Sequence, residues 1–394
     1  MTTGTGAVEN QDSEIRGTVA DGFERVADAF AENFRSRGEL GASCAVYAGD
    51  ELVVDLWGGT TSREAGAPPY GPDTLQLVAS ATKGAMAICV LRLAEAGRID
   101  LDAPLSEYWP DFAAARKGGV SVRAALAHRA GVPHLDGGLT IEDLVAWEPA
   151  AAAVASQVPA WQPGTRHGYH AITHAWLIGE LIRRVTGSSP GVFFATEVAT
   201  PLGLDLHVGL PESEHARVAP LHLFSPPEGR APDPFTLRML TPDSPAFRAF
   251  FVGSGLFGWI NEPRLWSAEV PSVNGMGTAR ALARMYAACL GEVDGIRLLD
   301  AETVGQVLRP ASVGEDAVVG YETCYGLGFQ LPFPFRPMSG EGAFGHYGLG
   351  GSAGFADTRH GVGFGYTVNQ MGPATPADAR SVALVEAVLA CVDS

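Results

Sequence analysis

The residues best suited to covalent chemistry are Ser80 and Lys83, in the run Ser80-Ala81-Thr82-Lys83. A serine hydroxyl is a poor nucleophile at its free pKa and needs an adjacent base. Helix positions three apart share a face one turn away, so this lysine can serve that hydroxyl. Burial and the positive helix end lower a lysine's pKa and make it a usable base. The same N-terminal amides can stabilise an oxyanion. A Ser-x-x-Lys alone is weak, and its plain alternative is a serine cap followed by a solvated lysine. The apolar run at 85–93 predicts that the helix over 79–96, closed by Gly97, is buried. A lysine at the head of a buried helix needs a reason.

Two other segments offer partners. Tyr169 stands in 162–171 at a loop-to-helix boundary, where a phenol can enter a cleft and carry a proton; the alternative is a packing tyrosine. The run 345–352 contains His346, Gly348, Leu349, Gly350 and Gly351. Its glycines permit close backbone approach and its amides can complete an oxyanion hole. The alternative is a plain Gly-rich strand end.

The elements that must position these groups follow from periodicity. Val19, Phe23, Val26, Phe30 and Phe34 predict a helix over 18–37, stopped by Gly38. Segments 42–47 and 51–57 read as strands around the turn Gly49-Asp50. Ser121 caps a helix at 122–129, and Thr140 with Asp143 resembles a capping box for 141–147. Further helices are expected at 172–186, 278–290 and 377–392, and strands at 325–331, 352–356 and 362–369. Residues 1–17 are polar and expected to be disordered. Segments 18–75 and 300–394 are expected to form an α/β lobe with an antiparallel sheet of about five strands. Residues 76–299 are expected to form a mostly helical lobe, with an irregular Pro/Gly/aromatic excursion at about 203–272.

The 394 residues carry 46% hydrophobic and 18% charged side chains and a net charge of −17. An acidic surface argues against nucleic acid and anionic lipid as partners. The five scattered cysteines lack a Cys-x-x-Cys and read as buried free thiols. No apolar h-region opens the chain and no 18-residue apolar run occurs, so a cytoplasmic location is expected.

Taken together, the three motifs resemble the serine β-lactamase and penicillin-binding-protein superfamily. They are most similar to class C β-lactamases and their esterase relatives, the family VIII carboxylesterases. Ser80 and Lys83 match the family's first motif. Tyr169 matches the tyrosine of its Tyr-x-Asn element, and His346-Tyr347-Gly348 matches its Lys/His-x-Gly strand motif. The stretches 126–131, Pro163-Gly164-Thr165, Asn274-Gly275 and 278–280 also look like the family, and the likeness runs over about 18–390. The resemblance implies an α+β, two-lobed fold and an acyl-enzyme on Ser80. It implies Lys83 and Tyr169 as one proton-handling unit and the backbone amides of Ser80 and Leu349 as oxyanion hole. His346 is expected to hold the Tyr169 hydroxyl or a polar group of the substrate. His170, Trp259, Gly348 and Gly350 are candidate substrate contacts. The family's asparagine is Ala171 here and its strand lysine is His346, which argues against efficient β-lactam hydrolysis.

Other readings are weaker. Gly350-Gly351-Ser352-Ala353-Gly354 fits the nucleophile elbow of α/β-hydrolases, but Asp357 and His360 follow too closely to build that triad. Ser272-Val273-Asn274 fits a Ser-x-Asn element but reads more simply as a turn. His167, His170 and His174 have partly metal-like spacing without an acidic third ligand, so no metal and no cofactor are expected. The expected function is a serine esterase or amidase acting on a small ester or amide. The alternative is an acyltransferase with an alcohol or amine acceptor. A β-lactamase, a D-aminopeptidase or a non-catalytic ligand-binding module ranks behind both. The aromatics at 224–259, among them Phe224, Phe235, Phe250, Phe251 and Phe257, suit an apolar pocket or ordinary loop packing equally.

Overall fold

A computed structural model describes residues 5–10, 15–137, 139–224, 232–250, 258–373 and 377–393. Seven antiparallel strands form the main sheet: β1 (Thr5–Asn10), β2 (Ile15–Ala20), β3 (Gly41–Ala48), β4 (Glu51–Gly59), β5 (Ala343–Tyr347), β6 (Ala353–Asp357) and β7 (Val362–Val368). Their order is β1-β2-β4-β3-β7-β6-β5, so segments near both chain ends interleave in one sheet.

The sheet is larger than the sequence suggested. Residues 5–20 were expected to be disordered up to 17 and helical from 18. Instead Thr5–Asn10 pairs with Ile15–Ala20, and β2 pairs with β4 through Val19 and Val54. The first helix, α1 (Glu24–Ser36), accordingly starts later, and Val19 belongs to a strand.

Alternation along β7 explains the layers. Val362, Phe364, Tyr366 and Val368 join one core with Val26 and Phe30 of α1 and Leu384 and Val388 of α5 (Ala379–Val392). Gly363 and Gly365 face the opposite side, against α4 (Ala279–Leu290). A Cβ on Gly365 would lie 2.0 Å from the Ala279 carbonyl oxygen, so the helix can approach this closely only over a glycine.

The larger core on that side includes α2 (Thr82–Glu95) and α3 (His174–Thr186). Every α2 residue from Thr82 to Leu91 is buried, which is why its sequence is apolar all round rather than striped. The stretch 203–272 is less irregular than expected. It holds short helices at Pro234–Leu240, Pro245–Phe250 and Pro263–Ser267. The strand expected at 325–331 is instead Glu322–Tyr325, paired with Ser312–Glu315. All five cysteines are free thiols, and Cys44, Cys89 and Cys289 are buried.

A buried ionic knot ties the sheet ends together. Arg380 donates to Glu39 (2.7 Å), Asp378 (2.6 Å) and the carbonyls of Gln370 (2.9 Å) and Gly350 (3.1 Å). Tyr366 also donates to Glu39. Arg380→Met leaves two buried carboxylates without their cation. The expected loss is about 3–5 kcal/mol of stability, read as a lower denaturant midpoint. An unchanged midpoint would show that the knot contributes nothing.

Candidate active site

Ser80 lies in a tight turn, Ala79–Ala81, at the head of α2. Ala79 has φ of 48°, a left-handed conformation that non-glycine residues rarely adopt and that the surrounding contacts must hold. Val78 N–H donates to the Gly275 carbonyl (2.9 Å), and Gly275 N–H donates to Thr82 Oγ1 (2.8 Å). The turn at 272–275 is thereby fixed to the serine turn. From the other side comes the end of β5. A Cβ on Gly348 would meet the Val78 carbonyl oxygen at 2.3 Å, so only glycine lets that chain pass.

Lys83 is fully buried. Its Nζ donates to the carbonyls of Ala171 and Ser272, both at 2.8 Å, and stands 3.4 Å from Ser80 Oγ. It is 4.8 Å from the Tyr169 ring centroid. Burial, with no opposing charge, pushes its pKa well below the ordinary lysine value. Lys117 provides an internal contrast. Its buried ammonium reaches three carbonyls, of Ala114, Ala155 and Gln157, at 2.7–2.9 Å. That set satisfies all three N–H groups of an ammonium. At Lys83 the third position faces a hydroxyl instead. A neutral amine there keeps two N–H bonds to the carbonyls and turns its lone pair to Ser80.

Tyr169 is buried, which raises its pKa, and a hydrogen bond with Ser80 opposes that shift. Its backbone N–H donates to Asp316 Oδ1 at 3.0 Å. The same carboxyl oxygen accepts from Val318 and Val319 N–H at 2.9 and 3.0 Å. Asp316 thus fixes the tyrosine's backbone. Sequence reasoning missed it, because an aspartate 147 positions from its partner leaves no local pattern. Ala171, where the family has asparagine, still serves Lys83 through its carbonyl oxygen. Ser272 does the same, while Asn274 binds the carbonyls of Leu265 and Ala268 and acts as a turn brace.

His346 is buried beside this group, its ring centroid 6.1 Å from that of Tyr169. Its Nδ1 meets the Tyr347 carbonyl at 2.8 Å. A carbonyl only accepts, so Nδ1 carries the proton and Nε2 presents a lone pair. Burial, and next Lys83, hold its pKa down to about 3, so the imidazole is neutral. Among the described residues Nε2 has no hydrogen-bond partner, and the expected bond to the Tyr169 hydroxyl is not formed.

Three candidate substrate contacts need correction. His170 is fully buried, with Nε2 accepting from Val132 N–H (3.1 Å) and Nδ1 engaged with the Gly168 carbonyl (2.7 Å). Both ring nitrogens are taken, and the ring stacks on His128, so it packs the core behind the site. Gly350 has φ of 100°, and its carbonyl accepts from Arg380 and from Gly372 N–H (2.9 Å); it shapes the turn after Leu349 rather than lining a hollow. Trp259 is half-buried against the main core and lines neither hollow at Ser80. Gly348 does line one of them. Phe235 and Phe250 line the site as well, Phe224 packs in a separate small cluster, and Phe251 and Phe257 lie outside the described residues. His167, His170 and His174 form no metal-binding group, and no such group occurs among the described residues.

Two hollows meet at Ser80, Phe250 and Leu349. A larger hollow of about 890 Å³ lies elsewhere, between Trp147, Arg183, Arg264 and Glu269, and is lined by none of Ser80, Lys83, Tyr169 and His346. It does hold a hydroxyl beside an imidazole, Ser267 and His215 at 3.1 Å, but on the exposed surface. The Ser80 hollows are the relevant ones, because there a serine at a helix head meets a lysine amine buried without a counter-charge.

This fold and this arrangement of serine, lysine and tyrosine define a class. The chain belongs to the beta-lactamase family, whose model matches residues 23–389. Among particular relatives, it is 37% identical over 363 residues to Esterase/beta-lactamase LipL of Mycobacterium tuberculosis, covering 91% of this chain and 83% of that protein. A family VIII carboxylesterase crystal structure superposes with a TM-score of 0.87 at 38% identity, over 96% of this chain and all of the other. EstA from Arthrobacter nitroguajacolicus Rue61a superposes at 0.85 with 32% identity, over 95% and 98% of the two chains. No helix among the described residues is long and apolar enough to cross a membrane.

Proposed function

We propose that this protein is a serine carboxylesterase that acylates itself on Ser80. The observation that carries the reading is the buried Lys83 amine, held by two carbonyls with its remaining direction toward Ser80 Oγ. Ser80 Oγ attacks the ester carbonyl, and its proton passes to the neutral Lys83 amine. The carbonyl oxygen becomes an oxyanion facing the backbone amides of Ser80 and Leu349, the assigned hole. As the ester C–O bond breaks, the departing oxygen takes a proton from the Lys83–Tyr169 unit. Burial keeps the Tyr169 phenol protonated at neutral pH, which suits it to that delivery. Water then attacks the acyl-serine, gives one proton to the same unit, and releases the acid as Ser80 Oγ recovers its hydrogen. His346, neutral and with Nε2 as an open acceptor, holds a polar group of the substrate. The identity and cover of the esterase relatives support the reading.

Acyl transfer to an alcohol or amine uses the same acyl-serine. The second hollow at Ser80, which an acceptor can enter once the alcohol has left, favours it as the other reading. Intact-mass spectrometry after incubation with a fluorophosphonate tests the shared step. One adduct is expected, mapped to the peptide containing Ser80. An unmodified protein, or an adduct on Ser352, would overturn the assignment.

A further inference from the structure

The two hollows that meet at Ser80 differ in chemistry. The first is walled by Leu77, Leu221, Ile260, Leu265, Val273 and Met371, and Ser80 is the only polar side chain among its described lining residues. A charged or hydrogen-bonding group placed there loses its water without gaining a partner. The second is built of rings. Phe235 stands 5.5 Å from Phe250 and 5.8 Å from Tyr321, both edge to face, and Tyr321 lies 6.4 Å from Phe333. Gln330 and Arg336 add a polar rim to this wall, and no carboxylate occurs among its described lining residues.

Proton delivery decides which part of an ester enters which hollow. The departing oxygen must lie within reach of the Tyr169 phenol. Tyr169 lines the second hollow and not the first. The alcohol part of the ester therefore lies among the rings, and the acyl chain lies among the aliphatic side chains. Aromatic rings prefer one another in offset or edge-to-face contact, and the second hollow presents both faces and edges. A leaving group with positive charge finds no anionic partner among the described lining residues.

We propose that the site takes aryl esters of apolar acids, with the acyl chain in the aliphatic hollow and an uncharged or anionic aryl alcohol in the ring-walled one. The proposal rests on Ser80 being the acylated nucleophile and adds the substrate's polarity and direction. In the covalent step the bond from acyl carbon to aryl oxygen breaks, and the aryl oxygen leaves with a proton from the Lys83–Tyr169 unit.

The test uses the full chain with four esters: phenyl and hexafluoroisopropyl acetate and butyrate, two alcohols of comparable acidity but only one of them aromatic. The phenyl esters are expected to have kcat/KM higher by roughly tenfold or more. Phe235→Ala and Tyr321→Ala are each expected to lower kcat/KM for phenyl esters by roughly tenfold, and for hexafluoroisopropyl esters by less than about threefold. Leu221→Trp, which fills the aliphatic hollow, is expected to disfavour butyrate against acetate for both alcohols. Fluorophosphonate labelling of Ser80 reports that each variant is folded. Equal rates for the two alcohols, or equal losses on both in the ring variants, would overturn the proposal. So would a Leu221→Trp enzyme whose alcohol preference changes in place of its acyl preference. An enzyme that neither labels at Ser80 nor turns over any of the four esters overturns the acyl-enzyme reading as well, which separates the two failures.

Discussion

Ser80→Ala is expected to lower kcat on any ester the protein cleaves by roughly four orders of magnitude or more. In the proposed reaction the hydroxyl oxygen is the atom that forms the covalent bond, and it stands 3.4 Å from the buried Lys83 amine. What rate remains comes from the oxyanion amides and from binding alone. KM is expected to move little, because the two hollows stay intact. Ser352 provides the control. It occupies the serine position of the Gly-x-Ser-x-Gly pattern, yet it is buried in the turn between β5 and β6, where its carbonyl accepts from Gly348 N–H at 2.7 Å. Ser352→Ala is expected to stay within a few-fold of the parent. Steady-state kinetics on a chromogenic ester read both. Near-normal turnover by Ser80→Ala, or an equal collapse in Ser352→Ala, would mean that the nucleophile is elsewhere.

Lys83→Met is expected to lower kcat by roughly a thousandfold while leaving the fold as stable as before or more stable. The two readouts must part because the amine is buried without a counter-charge. Its native pKa lies below its unfolded value. Between those two values the unfolded chain binds more protons than the native one, so native stability rises with pH across that window. A thioether of similar length removes both the desolvation and this slope. In the parent, kcat/KM is expected to rise with pH as Lys83 loses its proton, with the midpoint well below the ordinary lysine range. The variant's residual activity is expected to lack that limb. Lys83→Arg is no rescue, because a guanidinium stays charged. A lower denaturant midpoint in Lys83→Met, in step with its activity, would reduce Lys83 to a structural residue.

How much of this was legible in the sequence depended on how local each cause was. The hairpin of β3 and β4 was readable because Gly49 and Asp50 interrupt two strand-like runs with a turn signal. The capping box at Thr140 was readable because its bonds span three residues. Thr140 Oγ1 accepts from Asp143 N–H, and Asp143 Oδ2 accepts from Thr140 N–H. The buried α2 was readable from its unbroken apolar run, and with it the oddity of Lys83. Residues 5–20 were not readable, since β1 and β2 are made strands by pairing with each other and with β4 more than by their own pattern. His170 was misjudged for a related reason. It was expected to touch substrate, but its nitrogens are occupied by the nearby Gly168 carbonyl and by Val132 N–H, which only the folded chain brings near. Asp316 lay in a loop with no period to mark it.

The interleaved sheet also fixes when a ribosome can release a working catalyst. β3 emerges early, yet its partner β7 follows hundreds of residues later; the Ser43 and Thr367 hydroxyls that meet at 2.8 Å are 324 positions apart. Such distant pairing is slow and leaves early segments waiting for their neighbours. A nascent chain displaying Ser80 and Lys83 still lacks His346, Leu349 and the Arg380 clasp. Products of premature termination that lack β7 are therefore expected to be inert toward esters.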